Sequence, residues 1–426
     1  MRPREDRSGR KGRDVIQEQN AELTLSDAEV RKCPFHTQDL IRDKGRVYRD
    51  RVSGFYLITH YDDVRRLAMD TEYLSVKTGI LGVRETKNSP IINERYRQRG
   101  CLPMDTLVTT DPPIHGFYRA LVDRVFTPKR VKSMNEYLVV LSRELIDSFA
   151  AQGHVEFMEA LAIKLPIMVI ADQLGISRND LALFKTWSDA MIALIDPLLE
   201  LDREIALTDL MIDMQSYFIA QIERLRNTAE DTLLSALVHT DVDGRILTNQ
   251  ELCSIVQIVL VAGNETTTNA LGSAMIALIE DPALAERLHD DMSLLPGFVD
   301  ETLRLWAPAQ GILRRARTSF EIDGTVIPEG ALVQLIVGAA NRDPGIFPDP
   351  HEIDLGRPAR QAHLAFGAGR HFCIGSSLVR SEMAILFGEL LSRFKNFRYA
   401  RSENSVEYLT GYTYGPHRIL MDFDMR

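Results

Sequence analysis

Ten residues near the C-terminus, Phe366-Gly-Ala-Gly-Arg-His-Phe-Cys373-Ile-Gly375, hold three glycines and one cysteine directly ahead of a long amphipathic run that starts near Ser376. Gly367, Gly369 and Gly375 allow backbone conformations closed to other residues, so the stretch can close tightly against a flat ligand. The cysteine stands where a helix begins. Unpaired N–H groups and the positive dipole end there favour thiolate over thiol. A thiolate held in a glycine loop is a metal ligand or a nucleophile, and the rest of the chain must decide which.

With 426 residues the chain can bury a large core, and 45% hydrophobic with 26% charged residues describes an ordinary globular protein. A net charge of −10 argues against nucleic acid as a partner, because phosphate contacts need a basic face. The four cysteines, Cys33, Cys101, Cys253 and Cys373, are scattered without a CxxC pair, which signals neither a disulfide framework nor a zinc site and suits a reducing cytoplasm. Residues 1–20 are rich in Arg without an apolar segment, and read as a disordered tail rather than a secretory signal. The most apolar run, Ile255 to Ala262, is far shorter than the ~20 residues a membrane span needs. Residues 21–426 are expected to form a single domain, with no repeat or composition break to divide them.

Apolar residues recur at i, i+3, i+4 over most of the chain, giving a mainly α fold with a minor β portion. Helices are expected at 113–126, 131–152, 156–174, 178–195, 203–227, 229–238, 248–279, 281–291, 296–306 and 376–393. Strand character falls at 54–59 and 331–337, and 407–421 alternates like a hairpin. Residues 75–110, with Gly, Pro, Asn and charge, read as a long irregular stretch, and such loops are usually functional or disordered.

Three further constellations bear on the cysteine. In the middle of the longest helix, Ala262 and Gly263 are small, so something can approach the backbone there, and Glu265 is followed by the triple Thr266–Thr268. A threonine hydroxyl can bond the carbonyl one turn back and bend the helix, so an acid beside a hydroxyl at that point is a plausible proton relay. Alone, Glu265 reads as well as a solvated side chain. Glu301 and Arg304 share a helix face at i, i+3, a pairing that is usually only a surface contact. His115 and Arg119, at i, i+4 after Asp111-Pro-Pro, together with Arg314 and His371 make a basic cluster fit for a dianionic ligand.

Together these pieces resemble the cytochrome P450 family of haem-thiolate monooxygenases, from about Phe55 to the C-terminus. The loop 366–375 meets the family's Phe-Gly-x-Gly-x-His-x-Cys-x-Gly at every fixed position. Ala262-Gly263-x-Glu265-Thr266 fits its oxygen-binding helix, and Glu301-x-x-Arg304 with Arg357 fits its buried ion cluster. Ala340-Asn-Arg-Asp-Pro344 and Asp111-Pro-Pro-x-His115 are similar to soluble bacterial-type members. The resemblance implies a cytochrome P450 fold with haem b between the long central helix and the cysteine loop. It implies Cys373 as the iron ligand, with thiolate pushing electron density toward O–O cleavage. It further implies His115, Arg119, Arg314 and His371 on the haem propionates, with Arg315 as the alternative to Arg314, and Phe366 and Gly367 packed at the cofactor. Glu265 and Thr266 would pass protons to dioxygen at the iron, and Glu301, Arg304 and Arg357 would be structural.

The resemblance also implies electrons from separate proteins, a ferredoxin and its reductase, since only about 50 residues follow Cys373. Docking is expected on the Cys373 side, with Arg370 and Arg380 in a basic patch. The substrate wall is expected from Val108, Ile258, Val261, Ala262, Ile312 and Tyr412, which favours a small or medium apolar molecule taken by a monomer away from membranes. Two other readings remain open. One is a peroxide-driven peroxygenase, which has no need of the Glu265–Thr266 pair, and the other is a haem-based ligand sensor without turnover.

Overall fold

The computed structural model describes residues 23–79, 86–195, 199–242, 244–358, 362–400, 405–408 and 413–426. Helices dominate, and the longest, Asn249–Glu280, runs through the main core. Thr248 begins it with a capping box: its hydroxyl receives the Glu251 N–H, while the Glu251 carboxylate receives the Thr248 N–H. Two orphan donors of the first turn are thereby satisfied. The residues of this helix from Ala270 to Ile279 are all buried, so it is a core element rather than a surface one. Among the described residues no helix is long and apolar enough to cross a membrane.

Most of the β portion among the described residues lies in two sheets, beside the short pairs Asp241–Val242 with Arg245–Ile246 and Phe320–Ile322 with Thr325–Ile327. A five-stranded sheet has the order Val47–Arg49, Tyr56–Ile58, Leu332–Leu335, Ile312–Ala316, Leu74–Ser75. Its pairings are antiparallel except where Leu332–Leu335 runs parallel to Tyr56–Ile58. The second sheet is built on Pro416–Met425, which pairs with Phe394–Tyr399, Val406–Tyr408 and His154–Glu156. The expected C-terminal hairpin is therefore present, and residues 409–412 of its turn, including Tyr412, lie outside the described residues.

Several boundaries moved for local reasons. The helix expected at 131–152 is two, Pro128–Ser133 and Asn135–Asp147, and that at 156–174 opens with a π-helical turn, Met158–Ala162, before Lys164–Gln173. The larger correction is in the stretch read as irregular. Ser89–Arg99 is a helix, with Pro90 in its first turn, and it is fastened to the helix Leu201–Asn227 by polar bonds. Asn88 donates to Glu204 at 2.7 Å, and Arg95 grips both oxygens of Asp209 at 2.5 and 2.6 Å. Gln215 then clasps both the N–H and the carbonyl of Cys101, each at 2.9 Å. Only Ile92 and Tyr96 of Ser89–Arg99 reach the core, too few apolar positions for periodicity to mark it, and polar bonds supply the rest of its docking.

Candidate functional site

The cysteine loop is drawn tight by its own backbone. Gly367 N–H donates to the Leu364 carbonyl at 2.8 Å, Cys373 N–H to Phe366 at 2.9 Å and Phe372 N–H to Gly369 at 3.0 Å. Gly367 and Gly369 lie at φ +71° and +70°, the left-handed region that glycine enters without strain. Ser376–Arg393 then begins as expected. The N–H groups of Gly375 and Ser376 reach the Cys373 sulfur and, with the charges of Arg119 and Arg380, favour thiolate. Burial acts first and more strongly, so the thiol by itself is pushed up. A cationic metal at the sulfur would reverse that balance. Among the described residues no three His, Cys, Asp or Glu side chains converge to chelate a metal.

Beside this loop the imidazoles of His115 and His371 stand with ring centres 4.1 Å apart. Burial, then His115 and Arg314, pushes His371 down to about 3, and burial with Arg119 and Arg370 also lowers His115. His371 Nε2 is buried without a hydrogen-bond partner. Arg314 is 7% exposed and faces the same way, its strand partner being Val333. Arg315 instead ties the loop before it, donating to the carbonyls of Lys77, Thr78 and Gly330. Of the two arginines, Arg314 is the one whose charge bears on His371. Arg119 bonds Asp123 and the Phe372 carbonyl, so it also fastens the helix Ile114–Asp123 to the cysteine loop. A buried cluster of arginines and histidines with an orphaned imidazole nitrogen fits a group carrying two carboxylates, such as the haem propionates.

Behind the loop, Arg304 is 1% exposed and each of its five N–H groups is bonded. Two go to Glu301 at 2.7 and 2.9 Å, the others to the carbonyls of Asn341, Pro350 and Glu352. Arg357 donates to Glu301 at 2.9 Å, and the Asp354 N–H donates to the same carboxylate. Burial would raise the Glu301 carboxyl, but these donors hold it below the usual range. Asn341, which sequence reasoning passed over, carries the connection onward: its Oδ1 accepts the Leu364 N–H at 2.7 Å at the mouth of the cysteine loop. Arg380, expected in an open basic patch, bonds Asp300 at 2.7 Å and lies over the Phe366 ring, while Arg370 is exposed.

On the long helix, Thr266 and Thr267 each bond the carbonyl one turn back, Ala262 at 2.8 Å and Gly263 at 2.9 Å, and the helix continues through them. Ile258, Ala262 and Thr266 are spaced i, i+4, i+8 and form one stripe, with Ala262 exposed. Val261, Glu265 and Asn269 form the next. A Cβ at Gly263 would stand 3.0 Å from Ile170, so its smallness serves packing. Glu265 is half-buried, and its Oε1 accepts the Thr413 hydroxyl at 2.7 Å. Ile312 lies against Gly367, and Val108, on the turn Leu107–Thr109, is 48% exposed. Sequence reasoning had no signal for Thr413, a contact across 148 residues.

The fold and these residues define a protein of the haem-thiolate class, and comparison with known proteins agrees. The family Cytochrome P450 matches over residues 174–407. Cytochrome P450 monooxygenase PikC of Streptomyces venezuelae is 35% identical over 367 residues, 84% of this chain and 83% of that protein. Cytochrome P450 107B1 of Saccharopolyspora erythraea is 33% identical over 360 residues, 83% of this chain and 85% of its own length. The solved structure of Cytochrome P450 CYP109Q5 from Chondromyces apiculatus superimposes with a TM-score of 0.82 at 31% identity, covering 93% of this chain and 97% of that one. The chain belongs to the cytochrome P450 family. It is an oxidoreductase of the monooxygenase kind, for which haem is the cofactor.

Proposed function

We propose that this protein is a haem b monooxygenase that uses dioxygen to hydroxylate or epoxidise a small to medium, mostly apolar organic molecule. The observation that carries this reading is the shared loop: one ten-residue turn presents both the Cys373 sulfur and the orphaned His371 nitrogen of the basic cluster. Cys373 would ligate the iron, and His115, Arg119, Arg314 and His371 would hold the two propionates. The absence of a Cys-x-x-Cys-His motif favours haem b over a covalently attached haem. Haem bound through thiolate supplies the dioxygen activation.

The residues of this chain do the rest. Phe366, at the head of the loop, lies under Arg380, and Ile312 lies against Gly367, so apolar side chains flank the stretch that carries the sulfur. Thr266, on the open stripe, and Glu265, beside it, hold and hand on protons. The intact acid–alcohol pair favours dioxygen over peroxide as the oxidant. Glu301, Arg304 and Arg357 fix the far side of the loop. Ile258, Val261, Ala262, Ile312 and Val108 line the apolar wall, with Tyr412 as a further member. Electrons come from a small acidic ferredoxin and its reductase, docking over exposed Arg370 and Phe372 on the loop, and the enzyme works as a cytoplasmic monomer.

The test is turnover under 18O-labelled dioxygen with NADPH, a ferredoxin and its reductase, against a library of terpenoid, aromatic and steroid compounds. A product carrying one labelled oxygen is expected. A library member that binds at the iron yet gives label-free product with hydrogen peroxide alone would instead identify a peroxygenase.

A further inference from the structure

Glu265 is not left to choose its own conformation. Its Oε1 accepts the Thr413 hydroxyl at 2.7 Å, and the same hydroxyl oxygen receives Asn269 Nδ2 at 2.8 Å. Asn269 lies four residues beyond Glu265 on the long helix, so the two share a face and Thr413 bridges them from outside. The direction of the bonds follows from the inventory of hydrogens. An amide nitrogen can only donate, so Thr413 Oγ1 must accept from it, and its single hydrogen is left for the carboxylate. The reverse arrangement would point hydroxyl lone pairs at an ionised oxygen.

Thr413 itself is held on its C-terminal side by residues that cannot shift easily. Tyr414 is buried, its N–H bonded to the Pro308 carbonyl at 2.7 Å and its ring set edge-on to Phe35 at 5.0 Å. Gly415 lies so close to the long helix that a Cβ there would fall 2.4 Å from Asn269 Cβ. The start of Pro416–Met425 is thus pressed onto the helix at the height of Asn269, and this places the threonine hydroxyl. The Thr266 hydroxyl, one residue along from the acid, is turned back onto the Ala262 carbonyl.

We propose that Thr413, oriented by Asn269, is the positioning residue of the Glu265 carboxylate. It fixes Oε1 as a permanent acceptor and leaves Oε2 as the oxygen that takes and passes protons. This rests on the reading of Glu265 as the acid of the proton relay. Rate control in that relay then depends on the C-terminal segment as well as on the helix that carries the acid.

The test uses Thr413→Val, which keeps the branched shape and removes the hydroxyl, with Thr413→Ser as the restoring variant and Glu265→Gln as the reference. Oxygen consumption by the haem-loaded protein is measured in H2O and D2O, with NADPH supplied through a ferredoxin and its reductase. Thr413→Val is expected to slow it about tenfold and enlarge the solvent isotope effect, and Thr413→Ser to stay within about twofold of the parent. A second readout needs no turnover: a thermal-unfolding cycle of Thr413→Val, Glu265→Ala and their combination, in which the double variant should lose less than the sum of the singles. Additive losses with unchanged oxygen consumption in Thr413→Val would overturn the positioning role. If Glu265→Gln slows consumption while Thr413→Val does not, the relay stands and the positioning is wrong. If Glu265→Gln itself has no effect, the relay reading fails and this inference with it.

Discussion

Two glutamates of this molecule, Glu301 and Glu265, are held in opposite ways. Glu301 is buried, gripped at both oxygens by Arg304 and bonded further by Arg357 and the Asp354 N–H. Both oxygens are occupied, and a carboxylate so enclosed has nothing left to give to a reaction. Glu265 is half-buried, with one oxygen held by Thr413, and beside it Thr266, among the described residues, bonds its own helix. A saturated ion cluster makes structure, whereas an acid with one oxygen in reserve can move a proton.

The comparison breaks first at the saturated end. Arg304→Ala leaves Glu301 buried without its bidentate partner and should cost about 3–5 kcal/mol, read as a large fall in thermal stability with loss of haem binding. An Arg304→Ala protein that unfolds with the parent and keeps its haem would show the cluster to be dispensable. At the reactive end, Glu265→Gln should lower dioxygen-driven turnover by about 10²-fold while the unfolding midpoint moves little. A matching loss of stability would erase the contrast.

Acid extends the same contrast. The Glu301 carboxyl is held low in the folded state, so its contribution is complete above the ordinary carboxylate range and is lost as pH falls through the lowered folded value. Unfolding curves of the parent below pH 5 should therefore steepen, and Glu301→Gln should flatten them, from an already reduced stability.

A third glutamate sharpens the argument with the opposite sign. Glu382, on the last helix and 2% exposed, is pushed up to about 8 by burial alone. Its folded form holds a proton that the unfolded chain releases near pH 4.3, so stability declines as pH rises from there toward 8. Glu382→Gln should remove that decline, measured as a thermal midpoint nearly constant across this window. The smallest effect belongs to Asp209→Asn at the fastening of Ser89–Arg99. Asp209 and its arginines are partly open to water, so stability should change by only about 0–1 kcal/mol, and the change should shrink further in high salt.

What could be read in the sequence follows the range of the forces involved. The cysteine loop and the helix Ser376–Arg393 are local: glycine conformations, a turn and an apolar period lie within thirty residues of one another. Glu301 and Arg304 were legible as neighbours on one helix face, but not that three distant carbonyls complete the guanidinium. The acid–alcohol pair was visible on the long helix, and its partner Thr413 was not, since a single hydroxyl in a turn-rich segment has no period to betray it. That Gly263 is packed against Ile170 was not legible, because spacing does not name the neighbour a small residue faces. The helix Ser89–Arg99 escaped because only two apolar residues, Ile92 and Tyr96, dock it to the core, and Glu382 because one acid in an amphipathic run reads as solvated.

All of this turns on Cys373 as an iron-bound thiolate. The carbon monoxide difference spectrum of the reduced, haem-loaded protein tests that most directly. A Soret band at about 450 nm, lost in Cys373→Ser, is the expected result, because thiolate ligation sets that position. A band at shorter wavelength in the parent protein, or one at about 450 nm that survives Cys373→Ser, would contradict the assignment.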